Sequence, residues 1–330
     1  MKILYPLLGL WLVLVVEAQQ VPASPPLIQE WQVPWARTRP RDPFVAPDGR
    51  VWFSGQLGNY LAVFDPASEA FERVDLESGT YPNGVAVDDA GMVWYAGNRN
   101  ARLGRLDPQS GEITTFPIRN PAVRDPHTLA LDGRGQLWFT VPESNRIGRL
   151  DMSNGELELI WVPTSNARPY DIKLDGRGQP WVTLFGTNKL ARVDPVTLDL
   201  AEVTLPRPRA RARRLEVADN GDVWYLDFSG GIVGRYRPSS ESFDEWPIPG
   251  ERRARPYGAA LDGEGRLWLA DQGGRTMRLL SFDTQGERFL HDLALPSPSG
   301  TVRHLHYHAP SNSLWFATDA NTLGQIRLAP

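Results

Sequence analysis

The 330-residue chain contains no cysteine. That absence excludes a disulfide framework, a thiolate metal centre and a lipid-modified amino-terminal cysteine, so packing must hold the fold together. An excess of charge of one sign is also lacking. With 35 Lys and Arg against 39 Asp and Glu, the net charge is −4, and nothing in it argues for nucleic acid as a partner. A long apolar run is missing as well: Leu7–Val16 falls short of the roughly 20 residues a membrane span needs. Lys2 precedes that run and the small residue Ala18 follows it, so residues 1–19 read as a secretory signal peptide. A periplasmic or secreted protein with no membrane span after signal removal is therefore expected. Residues 20–26 read as a Pro-rich, extended tether.

What is present is a repeat. Trp52, Trp94, Trp138, Trp181, Trp224, Trp268 and Trp315 follow one another at spacings of 42, 44, 43, 43, 44 and 47. A unit of that size cannot bury its own apolar face, and a period in the low forties is the mark of a β-propeller blade. In the third unit, 127–131 and 136–140 are apolar strands flanking the turn Asp132-Gly133-Arg134-Gly135. Two more strands, 146–150 and 157–161, complete a four-stranded antiparallel meander, and no helical period appears anywhere. The expected fold is all-β: a single seven-bladed β-propeller over 27–330.

The last unit has only one strand after Trp315, at 323–328, while Leu27–Pro34 resembles the outer strands at 113–117 and 243–247. The amino-terminal strand is therefore expected to complete the seventh blade, which leaves no open sheet edge. These seven evenly spaced tryptophans, the comb tryptophans, sit mid-strand and are expected to fill the space between blades rather than to stack on a ligand.

In a propeller the start of each innermost strand and the end of the second strand meet at the channel mouth. Eleven residues before each comb tryptophan stand Arg41, Asn83, His127, Tyr170, Arg213, Tyr257 and His304, none of them aliphatic. Five are preceded by proline, which stiffens the strand start. Three residues after each tryptophan stand Gly55, Gly97, Val141, Leu184, Asp227, Asp271 and Thr318. Asp227 and Asp271 offer hard oxygen ligands to Mg²⁺ or Ca²⁺, or alternatively partners to nearby arginines. Arg41, Arg213, Arg255 and Arg303 cluster on the same face, which points to a small ligand bearing a carboxylate or phosphate. With Asn83, His127 and Tyr170 they make up the expected ligand-binding set. His304, His306 and His308 alternate along one strand, with only the first expected to reach the mouth.

The stretches Gly133-Arg134-Gly135-Gln136-Leu137-Trp138-Phe139-Thr140, Ile147-Gly148-Arg149-Leu150-Asp151 and Leu103-Gly104-Arg105-Leu106-Asp107-Pro108 resemble the blades of the virginiamycin B lyase (streptogramin lyase) family. The resemblance covers all seven blades. It implies a lyase that opens a cyclic depsipeptide by elimination across its ester, using Mg²⁺ and a histidine base. In that family the base and a metal-binding glutamate are fourteen residues apart, with another histidine at the rim of the preceding blade. His304 takes the base position here, Thr318 stands at the glutamate and Tyr257 at the upstream histidine. The expected function is an exported lyase or hydrolase for a small ester or lactone. In it His304 is the base, Tyr257 the donor and Asp271 the metal or proton partner. The alternative is a non-catalytic binding module for an anionic ligand or a protein partner.

Overall fold

A computed structural model describes residues 26–250, 253–297 and 300–328. The expected signal peptide and residues 20–25 of the tether lie outside the described residues. The chain forms seven sheets, each of four antiparallel strands. The turn Ala309–Ser311 is the one helical segment among the described residues.

Local chemistry sets each blade. In the third, Asp132 Oδ1 accepts the backbone N–H groups of Arg134 (2.7 Å) and Gln136 (2.9 Å), while Gly135 takes φ 97°. The carboxylate supplies the hydrogen bonds that a tight turn leaves open, and glycine supplies the left-handed backbone. In blades 2 and 6 the same aspartate also receives the comb tryptophan: Trp94 Nε1 donates to Asp88 (2.9 Å) and Trp268 Nε1 to Asp262 (2.8 Å). All seven comb tryptophans are buried, none more than 3% exposed. At about 25 cal/mol per Å² and about 200 Å² per ring, each contributes up to ~5 kcal/mol. Gly148 is required for a different reason: a Cβ there would lie 2.0 Å from Phe139 Cζ, whose ring covers the strand.

The ring closes as expected. Leu27–Gln32 pairs antiparallel with Thr322–Arg327, from Leu27↔Arg327 to Gln32↔Thr322. Trp31 stacks on Trp315 with centroids 5.8 Å apart, and the Asn321 amide donates to Val33 O and Trp35 O.

The innermost strands, which position the candidate site, are Pro40–Val45, Pro82–Val87, Leu129–Leu131, Pro169–Leu174, Ala212–Val217, Pro256–Leu261 and Val302–His308. Four begin with proline, which an edge strand tolerates at its first residue. In six blades the pairing with the second strand shifts within the first residues, as between Pro169 and Ile172 or Ala212 and Arg214. Such bulges re-aim side chains, here at the rim of the channel.

One blade breaks the spacing. In blades 1 to 6 the residue eight before the comb tryptophan pairs with it, as Lys173↔Trp181, Glu216↔Trp224 and Ala260↔Trp268 do. In blade 7 it is the ninth, His306↔Trp315. The extra residue is absorbed by the turn at Ala309–Ser311, which ends on Asn312 at φ 43°. The rim residue of blade 7 is therefore Arg303. His304 lies one step deeper, level with Asp171 and Arg214.

Candidate functional site

The bulged strand starts bring five of the sequence-expected rim residues around a cavity of about 610 Å³. Arg41, Asn83, His127, Tyr170 and Tyr257 line it, together with Gln56 from the end of a second strand. The hydroxyls of Tyr170 in blade 4 and Tyr257 in blade 6 are hydrogen-bonded to each other. Arg213, on the intervening blade 5, packs against this bridge. Its guanidinium carbon is 3.7 Å from the centre of the Tyr257 ring, 4.8 Å from Phe185 and Phe228, and 5.2 Å from Tyr170. Aromatic faces hold a cation in this way. Among the described residues, the Arg213 guanidinium makes no hydrogen bond or ion pair.

Arg41 is held by amides: Nη2 donates to Asn83 Oδ1 (3.1 Å) and Nη1 to Gln56 Oε1 (3.4 Å), with the Asp42 carboxylate 3.9 Å from Nε. Arg303, in contrast, is ion-paired with Asp319. Arg255 lies 5.7 Å from the Phe228 ring, outside the cavity wall. One step down, Arg214 Nη1 meets Asp171 Oδ1 at 2.7 Å, and Arg214 Nε donates to Arg303 O (3.1 Å), joining blades 5 and 7. Asp171 Oδ2 also accepts the Leu215 N–H (3.0 Å), so the carboxylate is satisfied, while Arg214 Nη2 is buried without a hydrogen-bond partner.

These charges set the protonation of the mouth. Burial, with the Tyr170 hydroxyl beside it, pushes Tyr257 up to about 12. Burial works against ionisation of Tyr170 too, but the guanidiniums of Arg213, Arg214 and Arg41 outweigh it and lower its pKa. Tyr170 is therefore the more acidic of the two hydroxyls. Burial first, then Arg41, pushes His127 down to about 3, so its imidazole is neutral at physiological pH. Thr128 Oγ1 lies 2.9 Å from His127 Nδ1 and donates its one proton to Tyr170 O (2.9 Å). Nδ1 must then carry the imidazole hydrogen, which leaves Nε2 as the lone-pair acceptor. Burial, then Arg214 and Lys173, holds His304 well below the ordinary histidine value. Its Nδ1 is buried without a partner. Asp125, in the cavity wall beside Glu143, is raised to about 6, mainly by burial.

The second expected ring lies elsewhere. Val141, Leu184, Asp227, Asp271 and Thr318 are each 1% exposed or less. Asp271 Oδ1 accepts the N–H groups of Arg255 (2.6 Å) and Gly273 (2.9 Å), and Oδ2 meets Arg278 Nε (3.0 Å) and Nη2 (2.9 Å). Asp227 repeats the pattern with Arg211 N–H, Ser229 N–H and Arg207. Thr318 Oγ1 accepts the Ala320 N–H (3.1 Å), the same turn contact made without a charge. Both oxygens of each aspartate are engaged by arginine and backbone, a donor set that does not fit Mg²⁺. No group of three or more His, Asp or Glu residues among those described is placed to hold a metal ion. The residues at the mouth are one position further along: Gln56, Phe185, Phe228 and Asp319. Counting four beyond each tryptophan, where the strand has turned over, finds them. His306 stacks on Phe44 (4.3 Å) in the channel, while His308 Nδ1 lies 2.7 Å from Ser311 Oγ at the exposed end of the strand.

The virginiamycin B lyase family profile matches residues 26–327. Among solved structures, virginiamycin B lyase from Staphylococcus aureus superposes with a TM-score of 0.83 at 21% identity, covering 92% of this chain and 100% of that one. A catalytically inactive form from the same organism with quinupristin gives 0.83 at 22% identity over the same shares. A streptogramin B lyase gives 0.82 at 21%, covering 92% of this chain and 98% of the other. At such identity these likenesses establish the fold. No curated protein matches the chain.

Proposed function

The chain belongs to the virginiamycin B lyase family, and from that premise we propose that it is an exported lyase or hydrolase opening a small ester or lactone at the channel mouth. The observation that carries this reading is the cavity itself, in which the neutral imidazole of His127, the Tyr170–Tyr257 pair and the Arg41 guanidinium line one volume. Elimination across an ester needs a base for the proton and a positive or hydrogen-bonding group where negative charge develops. Arg41 and the caged Arg213 supply positive charge, and the Tyr170–Tyr257 pair, with two hydroxyl protons and one mutual hydrogen bond, supplies one donor. Both elimination and hydrolysis release a carboxylate, which an arginine-rich mouth suits. Export rests on the charged, apolar and small residues of 1–19.

The test is proton release from a panel of neutral esters and lactones, with products weighed by mass spectrometry. Hydrolysis adds one water and elimination adds none. Tyr257→Phe and Arg41→Gln are each expected to slow turnover by about 10²–10³-fold. Unchanged rates in both would overturn the assignment. A second reading, non-catalytic capture of a small anion, is favoured by one observation: no carboxylate is hydrogen-bonded to His127 or His304 among the described residues. Saturable binding of the anion without any product would establish it.

A further inference from the structure

We propose that His127 is the general base of this site, taking the substrate proton on Nε2. The proposal rests on the mouth being the reactive centre, and moves the base from the blade that the family spacing indicates to blade 3.

Position comes first. His127 lines the cavity, whereas the extra residue in the blade 7 turn drops His304 to the level of Arg214. Orientation comes second. Thr128 fixes the imidazole through Nδ1, and Thr128 is itself fixed, its N–H donating to Thr140 Oγ1 (3.2 Å). Thr140 Oγ1 in turn donates to Tyr170 O (2.9 Å), and the Tyr170 ring lies 4.5 Å from the imidazole. A base held by such a network keeps one tautomer, with its lone pair on the nitrogen remote from the anchor.

The surrounding charges make the base responsive. His127 faces Arg41 and Asp42 from blade 1, Tyr170 from blade 4, and Arg213 and Arg214 from blade 5, besides Asp125 on its own segment. Burial first, and then the guanidiniums, make the resting imidazole a weak base. As negative charge develops on a substrate oxygen beside Arg41, it offsets that field, so proton affinity rises as the reaction advances. The gain falls in the transition state, where it accelerates the step. In the elimination, Nε2 takes the proton from the carbon adjacent to the one bearing the ester oxygen. The C–H electron pair becomes the second bond of the alkene, the C–O bond breaks, and the oxygen leaves as a carboxylate. Water then removes the proton from the imidazolium.

The experiment uses the full mature protein and whichever ester or lactone of the panel it turns over. His127→Asn keeps a donor for Thr128 and removes Nε2; kcat is expected to fall about 10²–10⁴-fold with KM nearly unchanged and the thermal midpoint retained. Added imidazole is expected to restore part of the rate of His127→Ala. In the wild type, kcat/KM is expected to lack an acid limb near pH 6.5, because the free-enzyme base stays unprotonated to much lower pH. A limb near 6.5, or the larger loss falling on His304→Asn, overturns the proposal. If both histidine variants keep full rate while Arg41→Gln does not, His127 is refuted and the mouth stands. No turnover by the wild type refutes both.

Discussion

The arginines flanking the channel and those at its mouth lie close in sequence and opposite in surroundings. Arg207 meets Asp227 and Glu245, each at 2.8 Å, and Arg278 is clamped between Asp271 and Asp292. Arg213, six residues beyond Arg207, has only aromatic faces, and Arg41 has mainly amides. The first pair spends its charge on the fold, tying turn to strand. The second keeps its charge available at the cavity, where it lowers the basicity of histidine and the pKa of Tyr170. Carboxylate pairing, rather than abundance of arginine, separates a scaffold from a site.

The largest expected effect breaks the scaffold side. Asp271→Ala leaves the Arg255 and Gly273 N–H groups without an acceptor and Arg278 with only Asp292 and Pro249 O, and each polar group left unsatisfied costs about 1–3 kcal/mol. Thermal or denaturant unfolding reads that loss directly. Arg213→Met tests the other side. It removes a cation that no anion offsets, so stability is expected to hold within about 1 kcal/mol, while turnover or anion binding falls at least about tenfold. Equal destabilisation by the two variants would erase the distinction.

A smaller effect sharpens the placement of His304. Shortening the Ala309–Ser311 turn by one residue restores the spacing of the other six blades and lifts His304 to the rim. Carbethoxylation of His304, followed by mass spectrometry, is expected to speed up; an unchanged rate would mean that the turn does not set its depth.

The smallest concerns Asp125. Its folded pKa is raised to about 6, mainly by burial, so the native state holds a proton that the unfolded chain releases near pH 4. Stability then falls as pH rises from about 4 to about 6, and the cost is fully present above that. Asp125→Asn is expected to raise the thermal midpoint at pH 7 and to leave it nearly unchanged at pH 4. A gain equal at both values would mean that the carboxylate does not titrate in this range.

The propeller was legible because its signals are local and repeated: an aspartate turn, a glycine at positive φ, a tryptophan at a fixed step. The rim was legible to the extent that spacing is constant, and it failed where blade 7 takes one residue more. The second ring was misplaced because strand alternation turns Asp227 and Asp271 into the blade and presents Phe228 and Asp319 instead. Pairs such as Arg214 with Asp171, 43 residues apart, leave no trace in sequence, since only the closed ring brings neighbouring inner strands together. The Thr128 anchor that fixes the His127 tautomer is equally invisible, because any threonine beside a histidine looks the same before folding.

Joining Leu27 to Arg327 has a kinetic meaning. Within the ring, the first strand to leave the ribosome must wait for the last, with some three hundred residues between them, so its polar edge stays unpaired until that last strand emerges. Contacts this remote in sequence carry a high closure entropy and form late. Blades 1 to 6 can each fold on local hairpins, but the mouth takes its final geometry only when this latch engages. Refolding experiments should therefore show blade structure appearing before any ligand is bound.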